Sequence, residues 1–270
     1  MVPAADRVKK PGQSSVWMDA KKSPGGGAGG RGGSGGGRRS DPAAAHLDRD
    51  RITAVTVALL DADGLDKFSM RRLAAELKVT AMSVYWYVAT KDDLLELALD
   101  HVAGEIVLPD PDDDTDWRIQ LRQLAQSYRE LLVGHPWATL LVGRFLNIGP
   151  HFMAFSGATL AVMRRTGAPL ERHGGMIAAV FQFVFGFATS EAQFNRLAAE
   201  AELTTDEFFQ RSMGLIAGEI EESPLFREST ELMAARGGDT VAEMYDRDFE
   251  NALDVLIAGI ETSGATKRPE

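Results

Sequence analysis

Residues 68–93 read FSMRRLAAELKVTAMSVYWYVATKDD and contain several residues typical of helix starts. Ser69 and Thr80 are suited to begin two short helices, because a hydroxyl oxygen can accept hydrogen bonds from the free N–H groups of a first helical turn. Thr90 and Asp93 match a capping box at the start of a third helix, with Asp in place of the usual Glu or Gln. The stretch therefore predicts three helix starts in close succession.

The first two of these helices are short and lie close together in the sequence. Leu73, Ala74 and Leu77 recur on one face of the first helix. Residues 78–80 separate it from a second helix over residues 81–87. Two helices joined by a tight turn form a helix-turn-helix, whose second helix can enter the major groove of DNA.

The helix-turn-helix is basic in an otherwise acidic chain. Residues 67–91 carry five cations and one anion, a local charge of +4, whereas the whole chain carries −10. A basic face on an acidic protein is typical of a surface that binds nucleic-acid phosphates. The five cations are Lys67, Arg71, Arg72, Lys78 and Lys91.

The composition allows a substantial core and argues against several classes of protein. Hydrophobic residues make up 44% of the 270 residues, a length that suggests one or two domains. The absence of cysteine excludes a disulfide framework and a cysteine-ligated zinc site, and it is consistent with a cytoplasmic location. No apolar run reaches the roughly 18 residues of a membrane span, and the first residues lack the apolar region of a signal peptide. We therefore expect no membrane partner.

Residues 1–46 differ from the rest of the chain. Ten of the thirteen residues at 25–37 are glycine, and the tail carries eight cations against three anions. This composition predicts a disordered segment that adds nothing to a core. The tail is either a solubilising extension or an over-assigned start, or it is a basic arm that adds non-specific affinity for DNA.

Helical periodicity continues beyond the helix-turn-helix, and no strand pattern or repeat is found. Pro109 and Pro111, among the aspartates of residues 110–116, mark a linker. We therefore expect an all-α fold, in which a three-helix head over residues 47–107 precedes a helical bundle over residues 108–270. The predicted helices are 48–63, 69–77, 81–87, 91–107, 117–134, 137–144, 150–165, 169–195, 204–220 and 240–262.

The two predicted domains differ in charge and in helix character. Residues 108–270 carry −11, so the bundle is a poor nucleic-acid binder and would repel DNA away from the basic face. The helix over residues 169–195 is apolar on all sides, which predicts burial on both faces.

From residue 64 to residue 98 the chain reads GLDKFSMRRLAAELKVTAMSVYWYVATKDDLLELA. This run resembles the DNA-binding domain of TetR-family repressors, above all the branch of the tetracycline repressor, through SVYWYV followed by Lys91. The resemblance covers residues 48–107. Over the second domain it rests mainly on Trp117, His135 and the helical pattern.

The resemblance implies a ligand-responsive repressor without a cofactor. Its helical bundle would serve ligand binding and dimerisation, with two long helices of each copy pairing in a four-helix interface. The partners would be a palindromic double-stranded DNA operator, a second copy of the chain, and a small-molecule effector whose identity the resemblance does not give.

Carried over by position, the resemblance predicts eight DNA contacts. Arg71 occupies the place of a base-reading arginine, which can bridge O6 and N7 of guanine. Ala81 replaces a long polar reader, so Ala81 and Met82 can meet a thymine methyl group but cannot donate to guanine. Tyr85 and Lys91 occupy phosphate-contacting positions. The eight are Arg71, Thr80, Ala81, Met82, Ser83, Tyr85, Tyr87 and Lys91.

Three neighbouring side chains are expected to have other roles. By the same resemblance, Trp86 packs inside the head, and core packing is also what its size favours. Arg72 and Lys78 are expected to be solvated surface charges.

An aromatic surplus in the second half predicts an apolar ligand pocket with a few polar groups that orient the ligand. Each aromatic residue taken singly also fits an ordinary core position, so that reading stays open. The predicted pocket residues are Leu124, Tyr128, Trp137, Val142, Phe145, His151, Phe155, Phe181, Gln182 and Phe185.

The ligand chemistry is expected to differ from that of the tetracycline repressor. The positions of its drug and magnesium ligands correspond here to Val107, Leu124, Val142 and Ser190, so the polar ligand set is missing. We predict that this chain is not a magnesium–tetracycline sensor. His101 and Glu105 have a spacing of four, but two groups do not make a metal site, and we expect none.

Two other classes of function were weighed. An enzyme is not expected, because the chain has no G-x-S-x-G elbow, P-loop, G-x-G-x-x-G, H-E-x-x-H or cysteine nucleophile. A helical protein-interaction adaptor with a structural helix-turn-helix remains the alternative, against which the basic face and the positions of Tyr85 and Lys91 argue.

Overall fold

The structure is a computed structural model, which describes residues 15–19, 47–110, 113–220, 228, 231–232 and 235–265. These residues form α-helices and one 3-10 helix joined by turns, and the described part of the chain contains no strand. The predicted all-α fold is confirmed. The described residues fall into two units, one running to Ile106 and including Trp137–Ser156, the other comprising Val107–Pro136 and the residues from Gly157 onward.

The first unit contains the helix-turn-helix. Its helices are α1 (Val16–Asp19), α2 (Arg49–Asp63), α3 (Met70–Glu76), α4 (Ala81–Tyr85) and α5 (Lys91–Ala103). They are followed by most of a 3-10 helix (Pro136–Leu140) and by the start of α7 (Pro150–Arg164). The 3-10 helix is shorter than the helix predicted over residues 137–144.

Local hydrogen bonds begin each helix of the head where the sequence predicts. The Ser69 hydroxyl accepts from the backbone N–H of Arg72 at 3.3 Å. Thr90 and Asp93 form the predicted capping box through two backbone-to-side-chain hydrogen bonds of 3.0 Å. At the other end of α2, Gly64 has a φ of 77°, a backbone conformation that glycine adopts without strain.

The core of the head lies between α2 and α5. Ile52 and Leu60 of α2 and Leu94 and Leu99 of α5 are almost fully buried. Leu73 of α3 is also fully buried. Each such side chain contributes about 1.5–3 kcal/mol when it leaves water, so α5 is the central support of the head.

Within the first unit, residues 137–152 are held by three aspartates of the head helices. The indole N–H of Trp137 donates to Asp61 at 2.6 Å, and Arg144 pairs with Asp92 at 2.9 Å. The Asp100 carboxylate accepts backbone N–H groups at the start of α7, at 3.0 Å from Phe152.

Gly149 shows how close this contact at the start of α7 is. A Cβ atom at residue 149 would lie 2.2 Å from the Asp100 carboxyl group, so only glycine fits here. From the sequence, residues 137–156 were predicted to belong to the second domain, and the proposed domain limits remain a prediction.

The second unit is a helical bundle. Its helices are α6 (Trp117–Gly134), the remainder of α7, α8 (Leu170–Glu200), α9 (Thr205–Ile220) and α10 (Val241–Ala265). Helix α6 packs along α8, and α10 packs against both α8 and α9. Leu121, Leu124 and Leu132 of α6 are fully buried in this bundle.

Helix α8 is longer than predicted and only partly buried. It continues to Glu200 because Leu197-Ala198-Ala199 favours helix, and it ends before Glu202, whose φ is 58°. The predicted burial on both faces is not met within one chain. By length and composition α8 is apolar enough to cross a membrane, which is weak evidence because core helices pass the same test.

The tail departs from the sequence prediction at one place. Residues 15–19 were expected to be disordered, but they form α1, and Ser15 and Val16 are buried against the head. The other residues of the predicted tail lie outside the described part of the chain.

Candidate nucleic-acid interface and ligand-binding residues

Two hydroxyl groups organise the start of the recognition helix α4. The Thr80 hydroxyl oxygen accepts from the backbone N–H of Ser83 at 3.2 Å, which caps the helix as predicted. The hydroxyl oxygens of Thr80 and Ser83 also form a hydrogen bond with each other, at 2.9 Å. Thr80 is exposed, whereas Ala81 and Ser83 are half-buried. These hydroxyls are therefore held in fixed positions at the helix start.

Large apolar and aromatic side chains project from α4 and the residues after it. Met82 is 68% exposed and Trp86 84% exposed, and Tyr85 and Tyr87 are exposed as well. Val84 and Val88 fill the inward positions of this segment and are buried. The segment therefore presents an exposed apolar face of the kind that meets base edges.

The prediction that Trp86 packs inside the head is wrong. Because Val84 and Val88 already fill the inward positions, the indole of Trp86 remains outside the core. Residue type favoured burial, but the length of α4 and its orientation put residue 86 on the outer side.

The cations near α4 differ in how they are held. Arg71 is exposed in the first turn of α3, and no ion pair of Arg71 occurs among the described residues. Arg72 forms an ion pair with Asp63 at 2.5 Å. Arg71 is thus the arginine of this pair that is available to a nucleic acid, whereas Arg72, expected to be a solvated charge, is exposed but paired with Asp63.

Lys91 is positioned by the turn before α3. Its ammonium group donates to the backbone carbonyl of Phe68 at 2.9 Å and lies 5.3 Å from the centre of the Phe68 ring. The side chain is half-buried at the first position of α5. A cation over an aromatic face is stabilised by the charge distribution of the ring, so Lys91 is pre-placed near the helix-turn-helix.

All eight predicted DNA contacts lie in the first unit, in α3, at α4 and the residues beside it, and at the start of α5. Arg71, Thr80, Met82, Tyr85 and Tyr87 are exposed. Their direct contact with DNA remains a prediction.

The predicted pocket residues divide between the two units. Trp137, Val142, Phe145, His151 and Phe155 lie in the first unit, and Leu124, Tyr128, Phe181, Gln182 and Phe185 lie in the second. Their common role in one pocket remains a prediction.

In the first unit, Trp137 and His151 have neighbours that the sequence did not suggest. Trp137 is buried and donates to Asp61. His151 is exposed, and its ring lies so close to Gly104 that a Cβ atom there would approach within 2.9 Å. Both side chains therefore contact the ends of head helices.

In the second unit, Tyr128 and Phe181 form an edge-to-face aromatic pair. Their ring centres are 5.9 Å apart, with an angle of 66° between the rings. Burial raises the pKa of Tyr128 to about 12. Burial therefore disfavours the charged phenolate further, and the side chain remains a neutral phenol.

A buried arginine at the centre of the second unit was missed by the sequence analysis. Arg129 of α6 donates to both carboxylate oxygens of Glu191 of α8, at 2.7 and 2.9 Å, and to Asp246 of α10 at 2.8 Å. Its guanidinium lies 4.9 Å from the ring centre of Phe249 and 5.4 Å from that of Phe187.

This network ties three helices together and explains the protonation of its arginine. Burial lowers the pKa of Arg129, but the hydrogen bonds and charge of Glu191 and Asp246 more than offset it, so the net pKa is raised. In the sequence, Arg129 directly follows Tyr128, a residue of the apolar face of α6. Hydrophobic patterning alone does not distinguish a buried arginine at such a position from an exposed one.

No metal centre emerges from the described part of the chain, where no group of three or more histidine and carboxylate side chains converges.

Comparisons with known proteins cover both halves of the chain. A family model described as "Bacterial regulatory proteins, tetR family" matches residues 52–98. A second, described as "Tetracyclin repressor-like, C-terminal domain", matches residues 108–263.

Two curated relatives are transcriptional regulators. An HTH-type transcriptional regulator of Saccharopolyspora erythraea is 38% identical over 146 residues, which are 54% of this chain. The match spans 61% of that relative, or about three fifths of its length. The HTH-type transcriptional repressor DrrR1 of Streptomyces coeruleorubidus is 30% identical over 224 residues, 83% of this chain and 81% of the relative.

A solved structure with the same fold is the TetR family protein ActR of Streptomyces coelicolor in complex with actinorhodin. It superimposes with a TM-score of 0.65 and 28% sequence identity, covering 82% of this chain and 99% of ActR.

Proposed function

The chain belongs to the TetR family of ligand-responsive DNA-binding transcriptional regulators, and we propose that it is a dimeric repressor that a small molecule releases from a palindromic operator. The exposed face of α4, with Met82, Trp86 and two tyrosines outside the core, is the observation that carries the DNA-binding part. A DNA-binding protein of this kind acts where the chromosome is, which supports a cytoplasmic location.

We infer that base reading is shared between one arginine and an apolar helix face. Arg71 is exposed and can bridge guanine. Met82 lies one turn before Trp86 on the same exposed side, which suits thymine methyl groups rather than hydrogen-bonding edges. Tyr85, Lys91 and the hydroxyls of Thr80 and Ser83 would position the head on phosphates.

We infer that the effector is a largely apolar aromatic molecule. Tyr128 and Phe181 supply an aromatic pair with one phenolic hydroxyl. A pocket lined by aromatic side chains and few polar groups suits an aromatic ligand. ActR, which shares the fold, was solved with actinorhodin. Magnesium–tetracycline is excluded from this proposal by the apolar residues Val107, Leu124 and Val142.

The proposed dimer interface uses α8 and α10. Along α8 the small residues Gly174, Ala178 and Gly186 are exposed at spacings that are multiples of four, so they lie on one side of the helix. On α10, Val255 is 72% exposed, although most of its apolar neighbours are buried. Small and apolar residues on one exposed face allow a second copy to pack closely.

The test of this function is selection of DNA from a random duplex library by the full chain. We expect an inverted repeat whose half-sites are one helical turn or a multiple apart. A screen of aromatic compounds, beginning with actinorhodin, then measures release from the selected duplex. Recovery of no preferred sequence would favour the adaptor reading, and release by magnesium–tetracycline would contradict the effector proposal.

A further inference from the structure

Residues 15–19 form a docked segment on the DNA-binding head, which we name the N-terminal strap. It consists of Ser15 and the single turn of α1, and its contacts are with α5. Ser15 and Val16 are buried, Val16 being only 7% exposed. The strap lies outside the residues matched by either family model, which begin at residue 52.

The strap is held by a buried carboxylate. Glu96 of α5 is only 4% exposed. One of its oxygens accepts from the Ser15 hydroxyl at 2.5 Å, and the other accepts from the backbone N–H of Val16 at 2.8 Å. The Ser15 oxygen in turn accepts from the backbone N–H of Trp17 at 3.2 Å. Both carboxylate oxygens of Glu96 are therefore satisfied by the strap.

This contact is more than incidental packing. A carboxylate out of water is costly unless it is hydrogen-bonded. When the strap leaves, Glu96 loses both of these donors, and α5 must either admit water or shift. The middle of α5 therefore has a different environment when the strap is docked and when it is undocked, because Glu96 is hydrogen-bonded to the strap only in the docked state.

Helix α5 also contacts the segment that leads into the helix-turn-helix. It begins at Lys91, whose ammonium group holds the Phe68 carbonyl just before α3. It continues to Asp100, which caps the start of α7. Glu96 lies between these two contacts, so the strap acts on the helix that supports the helix-turn-helix.

We propose that the N-terminal strap is a regulatory part of the head: docked on Glu96, it holds α5 in the arrangement that binds the operator, and its release weakens operator binding. The link to the operator rests on the proposed function, whereas the docking itself does not. A segment can change an affinity only by binding one state of the head better than another.

Two substitutions of equal charge separate docking from simple repulsion of DNA. Val16→Asp puts a second carboxylate into a buried position beside Glu96 and undocks the strap. Met18→Asp adds the same charge two residues later, at a side chain that is 40% exposed, and leaves the strap docked. Any general repulsion of DNA is the same in both variants.

The first measurement is hydrogen exchange of the full chain without DNA. We expect the backbone amides of Val16 and of the middle of α5 to lose protection in Val16→Asp and to keep it in Met18→Asp. Should Val16→Asp lose helicity throughout, Ser15→Ala, which removes only the hydroxyl donor, replaces it in the same comparison. Unchanged protection in the undocking variant would overturn the proposal.

The second measurement is affinity for the selected operator duplex. We expect Val16→Asp to bind about fivefold or more weakly than Met18→Asp, the low end of typical coupling between two sites. Equal affinities in the presence of a demonstrably undocked strap would show that docking and DNA binding are independent, and the regulatory proposal would fail. Loss of all sequence preference in the unaltered chain would instead refute the proposed function and leave the docking result standing.

Discussion

Arg71 stands exposed in the first turn of α3, while its neighbour Arg72 is paired with Asp63. Sequence alone gave the two arginines different roles only through a family resemblance, because their residue type is identical. The structure adds a physical difference, since an arginine already paired with a carboxylate loses that pair when it turns to DNA. The base-reading role therefore fits Arg71.

The first prediction concerns base reading by this arginine. Arg71→Ala should cost about 1–3 kcal/mol of operator binding and relax one base position, because a bidentate guanine contact is lost. Competition binding with single-base variants of the operator measures both effects. Lys67→Ala provides a control that removes one cation from the same basic segment. Full retention of operator preference in Arg71→Ala would refute the assignment.

The second prediction concerns Met82 and thymine methyl groups. Replacement of a contacted thymine by uracil in the operator removes one methyl group and should weaken binding by roughly 0.8 kcal/mol. In Met82→Ala this sensitivity to uracil should largely disappear. Anisotropy titrations of the two proteins on matched thymine and uracil duplexes measure it. Equal uracil effects in both proteins would place the methyl contact elsewhere.

Residue-scale prediction from sequence succeeded where the interaction is local. The caps of Ser69 and Thr80 and the box of Thr90 and Asp93 depend on partners within three residues, and all are present. Trp86 failed because its exposure depends on which side of a short helix faces the core.

At the scale of helices, α6, α8 and α10 are fastened by the Arg129 network. Arg129 is buried, and two of its partners come from other helices. Such a buried ion pair adds little net stability compared with apolar packing, but removal of one partner is costly because the remaining charge is left without compensation. The network thus fixes which faces of the three helices meet.

The third prediction tests this fastening. Glu191→Ala should lower the free energy of unfolding by about 3–5 kcal/mol, because Arg129 stays buried without its main partner. Urea denaturation at one fixed protein concentration measures the loss. Glu200→Ala, on the same helix, removes a pair with Arg196 that is exposed on both sides, and little change is expected there. Comparable losses of unfolding free energy in both variants would show that burial of the ion pair does not determine its contribution to stability.

Helices were predictable where apolar periodicity is long and end signals are strong, as in α2 and α6. The strap was not predictable, because a single helical turn among residues 1–46 depends on Glu96, 80 positions away from Val16. The burial and ion pairing of Arg129 could not be predicted either, because its partners lie 62 and 117 positions away in the sequence.

At the scale of the whole molecule, the exposed faces of α8 and α10 form the proposed dimer interface. The helix that sequence predicted to be buried on both sides is buried on one side within a single chain. In the proposed dimer, pairing with a second copy covers the other side. The ligand pocket could not be predicted as reliably as the helices, because its ten candidate residues come from both units of the chain.

The fourth prediction concerns this pairing. Val255→Asp puts a charge on the proposed interface and should weaken the dimer and, with it, operator binding, since two heads are needed for two half-sites. Leu146→Asp changes a similarly exposed apolar residue outside the interface and should leave the dimer intact. Sedimentation velocity over a range of concentrations measures both. A dimer of unchanged stability in Val255→Asp would exclude this face.

In the proposed function, two copies of the chain read one palindromic operator. Titration of the full chain into a labelled duplex that carries the selected inverted repeat, beside a duplex with scrambled half-sites, tests it most directly. We expect saturation at two protomers, or a multiple of two, per palindromic duplex and much weaker, more salt-sensitive binding to the scrambled one. Equal affinity for the two duplexes, or saturation by a single protomer, would contradict it.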